Sequence, residues 1–104
     1  MRIRVVVFGA GTGRQEIEMS TRDMSSGGVL CESPELIPLG KPVRVRLDLT
    51  TDSGAPQQVV LEGIALRVDG QGPFDVAFHF VNAPERIREM IRRFVLRSLR
   101  PGPR

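Results

Sequence analysis

The residues best placed to do chemistry in this sequence form one short run, Asp23-Met24-Ser25-Ser26-Gly27-Gly28. It sets a carboxylate, a hydroxyl two residues on and a pair of glycines at what reads as the end of a strand. A carboxylate accepts hydrogen bonds and a hydroxyl both accepts and donates, so the two can meet the edge of a purine base. The N1–H and N2 amino group of guanine are natural donors to such a carboxylate. Gly27 and Gly28, lacking Cβ, allow a close backbone approach. Arg22, the residue before, can add one cation. The same residues have a second, purely structural use. Asp and Ser at a tight turn cap its backbone amides, with Gly27 or Gly28 at a positive φ.

Elsewhere the inventory is thin. His79 is the only histidine and lies between Phe78 and Phe80 on a strand, facing outward. No nucleophile, base and orienting group can be assembled around it, so the chain does not read as an enzyme. Cys31 is the only cysteine; it excludes an internal disulfide and a cysteine-rich metal site, and reads as a small half-buried strand residue. No metal or cofactor is expected. Gly9-x-Gly11-x-Gly13 lacks the helix and lysine of a phosphate-binding loop and reads as a hairpin connection. Arg86, Arg88, Arg92, Arg93, Arg97 and Arg100 share one side of the C-terminal segment. They form either a partner surface, with Arg86, Arg92 and Arg93 as its leading residues, or a solvated face opposite a core stripe.

The charge balance points the same way. Of 15 cationic residues only Lys41 is lysine, against a net charge of +3. Arginine's planar fork suits phosphate and guanine edges, so an anionic partner is permitted, though so small a net charge does not demand one. A nucleic-acid-binding barrel is the rival class. Such barrels present aromatic stacking platforms, yet the chain has no Trp or Tyr and its Phe residues fit a core.

These residues need elements to hold them. Ile3, Val5 and Val7 alternate with Arg2, Arg4 and Val6, the period of a half-buried strand. A second strand runs from about Gln15 to Arg22, with Ile17, Met19 and Thr21 opposite Glu16, Glu18 and Ser20. Ser25 to Gly28 turns the chain into a short strand, Val29 to Glu32. Pro34 to Pro38 is a loop, closed by Leu39-Gly40. Val43, Val45, Leu47 and Leu49 then face one way, and Arg44, Arg46 and Asp48 the other. Thr51 to Pro56 is polar turn chemistry. Gln58 to Val68 is a long, bent strand with a bend or bulge expected at Gly63. After the turn at Asp69 to Pro73, Phe74, Val76, Phe78 and Phe80 make a last inward row. The period then changes. Ile87, Met90, Ile91, Phe94, Val95 and Leu99 recur at helical spacing, behind Pro84 and Glu85 and ahead of Pro101-Gly102-Pro103. The expectation is a mainly β, six-stranded antiparallel barrel over about 2–81, with one C-terminal helix over about 84–99 packed on an open side of it. At 104 residues the chain reads as one domain. No apolar run approaches the ~20 residues of a membrane span, and a cytoplasmic setting is expected.

The spacing Asp-x-Ser-x-x-Gly, met by Asp23, Ser25 and Gly28, resembles the signature of PilZ domains. The resemblance extends along nearly the whole chain. It takes in the strand before the motif, the Leu39-Gly40-Lys41-Pro42 turn into Val43–Leu49, the long strand after it, and Phe78-x-Phe80 followed by a helix carrying Ile91-x-x-Phe94. It implies a module that binds cyclic diguanylate (cyclic-di-GMP), with the Asp and Ser of the motif on a guanine base. It also implies a second motif, Arg-x-x-x-Arg, just before the first strand, wrapping the phosphates and bases. Here the sequence departs: Arg2 and Arg4 are two apart, not four, and residues two apart on a strand share a face. Arg22 can supply one cation but not the pair. Two functions follow from the resemblance. One is an adaptor acting by protein contact in motility, pilus or biofilm regulation, with oligomers among its states. The other is a cyclic-di-GMP receptor whose arginine arm comes from elsewhere.

Overall fold

The computed structural model describes residues 2–9, 13–51 and 53–98, with side chains described from Glu16 to Arg97 apart from Asp52. Six strands precede one helix: β1 Arg2–Gly9, β2 Gly13–Met24, β3 Gly28–Ser33, β4 Pro42–Thr50, β5 Pro56–Asp69, β6 Phe74–Val81 and α1 Glu85–Ser98. The strands close into an antiparallel barrel in the order β1-β2-β3-β6-β5-β4, and β1 meets β4 through Ile3↔Leu47 to Val6↔Arg44. Each strand has a neighbour on both sides, although β2 before Ser20 pairs with β1 alone and β5 before Glu62 with β4 alone. The mainly β reading with a single C-terminal helix is what the chain adopts. The hairpin connection expected at residues 10–12 and the stop at Pro101–Pro103 lie outside the described residues, as do the side chains of Arg2, Arg4 and Leu99.

Alternation builds the core. On β4, Val43, Val45, Leu47 and Leu49 are all buried, and across the barrel Val59, Leu61, Ala65, Val76, Phe78 and Phe80 meet them. Each fully buried aliphatic or aromatic side chain contributes roughly 1.5–3 kcal/mol. The loop between β3 and β4 adds Ile37, fully enclosed. Its neighbours give no period, so the sequence offered nothing to mark it as core. Cys31, expected half-buried, is fully buried on β3, and that burial pushes its thiol up to about 12. Helix α1 docks through Ile91, which is fully buried, with Ile87, Met90, Phe94 and Val95 partly buried around it. Its first turn is closed by the Ile87 and Arg88 amides, each donating to Pro84 O at 3.0 Å.

Two departures from strict alternation decide what the outer wall displays. In β2 the register steps from Thr21↔Cys31 to Asp23↔Leu30, leaving Arg22 as an extra residue. In β5 it steps from Ala65↔Phe78 to Arg67↔Ala77, leaving Leu66 as the extra. Both are β-bulges. The bend expected at Gly63 is therefore corrected: Gly63 sits in unbroken register opposite Val43 and Phe80. A Cβ there would stand 3.1 Å from Val45 Cγ2, so the glycine makes room inside the barrel.

Candidate functional site

The bulge at Arg22 is what brings the motif to the surface. Alternation through Ile17 and Met19, both buried, would turn Asp23 inward and Met24 outward. With Arg22 inserted, the opposite holds: Asp23 is exposed and Met24 enters the core. β2 thus runs through Asp23 and Met24, two residues beyond the expected end at Arg22. The turn is only Ser25–Gly27, because Gly28 already belongs to β3.

Both motif side chains bond to their own turn. Asp23 Oδ1 accepts from the Met24 amide at 2.9 Å, and Ser25 Oγ accepts from the Gly27 amide at 3.2 Å. The Ser25 amide donates to Gly28 O, and the Phe80 amide to Gly27 O, each at 2.9 Å. The positive φ expected at Gly27 or Gly28 is not found; among the described residues it occurs at Gly40, Gly54, Gly70, Gly72 and Asn82. Gly28 serves packing instead. It pairs with His79 across β3 and β6, and a Cβ there would lie 2.3 Å from Phe78 O. The glycine of the motif is therefore demanded by the approach of a neighbouring strand.

Asp23, Ser25 and Gly28 do gather at one place. With Met24, Val29, Leu30, Ala77 and Phe78 they line an open hollow of about 250 Å³. Its floor crosses the wall along the paired residues Asp23↔Leu30 and Leu30↔Ala77. No arginine or lysine is among the residues lining it.

Arg22 points away to other partners. Its guanidinium hydrogen-bonds Glu32, and its Nε stands 3.3 Å from Asp75 Oδ1. Glu32 and Asp75 face each other in register on β3 and β6, and Asp75 faces Asp69 on β5. Like charges directly opposed on a sheet repel, so a cation between the first two is the arrangement electrostatics favours. The Glu32 hydrogen bond, followed by the charges of Asp75 and Glu32, raises the Arg22 pKa above its ordinary value. Arg67 is similarly held by Asp69, Nε to Oδ2 2.9 Å. Sequence reasoning missed Glu32 and Asp75, because only cross-strand register brings them to Arg22.

The helix face keeps much of its charge to itself. Arg92 pairs with Glu89 and, at 3.8 Å, with Glu85, and Arg93 lies 3.4 Å from Glu89. Arg97 donates to Thr50 O, and Arg86 and Arg88 are exposed. His79 is exposed, as expected for an outward strand residue. Phe78 and Phe80 are buried, and Phe74 and Phe94 are packed partly buried against the core. No group of three or more His, Cys, Asp or Glu among the described residues is placed to hold a metal. No helix among them is long and apolar enough to cross a membrane.

A closed antiparallel barrel capped by one helix, with a polar turn displayed on its outer wall, defines a small binding or adaptor module. The family model for the PilZ domain matches residues 1–97, and the chain belongs to that family. PilZ domains bind cyclic-di-GMP or act as adaptors. A comparison with curated proteins finds no match.

Proposed function

We propose that this PilZ domain works as an adaptor through protein contact, in motility, pilus or biofilm regulation, and does not bind cyclic-di-GMP through its motif. One observation carries the reading: Arg22, the cation next to Asp23 in the chain, is held by Glu32 and Asp75, and no arginine or lysine is among the described residues that line the hollow with Asp23 and Ser25. A cyclic dinucleotide brings two phosphates, and charge-assisted hydrogen bonds to such groups contribute roughly 1.5–3 kcal/mol each. A site lacking two of them is weaker by a factor that takes micromolar affinity to the millimolar range. Arg2 and Arg4, two apart on β1, do not have the spacing of an arginine arm. A cytoplasmic setting fits this role.

The receptor reading has its own support in Asp23, Ser25 and Gly28 meeting at one hollow. Isothermal titration of the domain with cyclic-di-GMP separates the two. The adaptor reading expects no saturable heat at millimolar nucleotide. Saturable micromolar binding that Asp23→Ala abolishes would overturn it. The double variant Glu32→Gln/Asp75→Asn frees Arg22; under the adaptor reading this one cation still gives no micromolar binding, and such binding in the double variant would restore the receptor reading with Arg22 as its latent ligand group.

A further inference from the structure

Where α1 meets the end of β4 there is a second open hollow, of about 180 Å³, lined by Leu49, Thr50, Thr51, Met90, Arg93 and Arg97. It forms where β4 outruns its neighbour. The described pairing of β1 with β4 stops at Leu47, and past that point Arg97 reaches across to donate to Thr50 O. The floor is apolar, with Leu49 buried and Met90 partly buried. The rim is basic, with Arg93 and Arg97 exposed.

Charge in this chain is divided between barrel and helix. Residues 1–84 hold 8 Lys or Arg against 10 Asp or Glu, a net of −2, while α1 holds 5 Arg against 2 Glu, a net of +3. The two glutamates bond within the helix, Glu85 with Arg92 and Glu89 with both Arg92 and Arg93, and the excess of three remains. Its placement is one-sided. Arg86, Met90, Arg93 and Arg97 follow one another at steps of four, three and four residues and so share one edge of the helix. That edge borders the hollow.

We propose that this groove binds an acidic segment of a partner protein, with an aliphatic side chain in the hollow and a carboxylate two residues to either side on the arginine edge. The inference rests on the adaptor reading and gives the partner's chemistry. Floor and rim together select it. A phosphate backbone would use the rim but not the floor, and no aromatic ring among the lining residues offers a base a stacking platform. The spacing also fits. At about 1.5 Å per helical residue, Arg86 and Arg97 are roughly 16 Å apart along the axis. Residues four apart on one face of an extended segment are about 13 Å apart, a difference that the long arginine side chains cover. Each guanidinium carries five N–H donors in a planar fork, so Arg97 can take a carboxylate while it holds Thr50 O.

The test is a titration of the isotope-labelled chain followed by its amide NMR shifts. The probe is the capped peptide Gly-Ser-Glu-Ser-Leu-Ser-Glu-Ser-Gly, taken to about 5 mM. Saturable shifts are expected at Leu49–Thr51 and along Met90–Arg97. Serine in place of the peptide's leucine should weaken binding roughly tenfold, the loss of one buried aliphatic side chain. Arg86→Gln/Arg93→Gln should weaken it by about fivefold or more. Arg88→Gln/Arg92→Gln removes the same charge from the other side of α1 and should cost less than about twofold. Circular dichroism shows that each variant is folded, and the serine peptide probes the unaltered chain. No saturable shift, shifts confined to other residues, or equal losses in the two double variants would overturn the proposal. So would a thymine oligonucleotide that saturates the same amides more tightly than the peptide, which gives the groove to nucleic acid. Shifts there that grow with protein concentration alone would give it to a second copy and overturn the proposal too. The cyclic-di-GMP titration judges the adaptor reading separately: a chain that takes up neither nucleotide nor peptide refutes the groove and keeps that reading.

Discussion

Replacing Gly28 by alanine puts a methyl group 2.3 Å from Phe78 O, in a place no real Cβ can occupy. The obstacle is backbone, so no side chain can swing aside. Relief to an ordinary contact needs β3 and β6 to part by about 1 Å. One hydrogen bond spans that gap beside the glycine, Phe80 N to Gly27 O at 2.9 Å. Losing it costs about 1 kcal/mol, and the displaced strands add roughly another 1–2 kcal/mol of imperfect packing. The expected loss is therefore about 2–3 kcal/mol. For a chain of this size that lowers Tm by roughly 10–20 °C. Gly27 is the internal control. Its added Cβ would meet only Ser25 Oγ at 3.9 Å, and Gly27 does not have a positive φ, so Gly27→Ala should stay within about 0.5 kcal/mol of the parent. Urea unfolding followed by far-ultraviolet circular dichroism measures both. If Gly28→Ala costs no more than Gly27→Ala, the motif glycine is not there to let β6 approach, and a ligand-facing role returns.

Cys31 should make the fold alkali-sensitive. Its thiol is pushed from an ordinary 9.0 to about 12 by burial, so between those values the unfolded chain has lost a proton that the folded one keeps. The stabilisation is intact below pH 9 and falls by up to about 1.4 kcal/mol per pH unit above it. Urea unfolding of the parent and Cys31→Ala at about pH 8 and about pH 11 should show the gap between them narrowing, and a constant gap would contradict the burial argument. The helix anchor is checked by a pair of truncations. Ile91→Ala, at a fully buried site, should cost about 2–4 kcal/mol, while Leu96→Ala, at a site 68% exposed, should cost less than about 0.5 kcal/mol. Equal costs would mean that α1 packs through a different face.

Where the chain keeps a strict period, the sequence was enough. β4 alternates without a break, and each of its four inward residues is buried. The spacing of Ile87, Met90, Ile91, Phe94 and Val95 likewise placed the helix within a residue or so of Glu85–Ser98. The misses fall where the period breaks. A bulge carries no fixed residue type, so nothing about Arg22 or Leu66 announces that the faces exchange there. Reading β2 as running to about Arg22 left Asp23 at the strand's end and not within its ladder, and Gly63 attracted a bend or bulge that falls at Leu66 instead. Of the candidate site, the gathering of Asp23, Ser25 and Gly28 at one hollow was legible because their spacing is local. Glu32 and Asp75 were not, since their meeting with Arg22 depends on three strands aligning.

The two bulges together explain how one barrel wall carries two distinct surfaces. Asp23 and Arg67, the residues that resume each ladder, lie on a single cross-strand row through Leu30 and Ala77. On the β2 side the bulge turns Asp23 out beside the motif turn and sends Arg22 toward Glu32 and Asp75. On the β5 side it turns Leu66 outward, where it is exposed. Strict alternation would have buried Asp23 at the cost of desolvating a carboxylate, several kcal/mol when it is unpaired. Inserting one residue avoids that cost and sends Met24, an apolar side chain, inward in its place. The polar turn and the aliphatic face are therefore consequences of the same local device. Because a bulge sets direction without fixing chemistry, the residue types placed on it decide what each surface can hold: at the motif an arginine already satisfied by two carboxylates, on β5 a leucine with nothing over it.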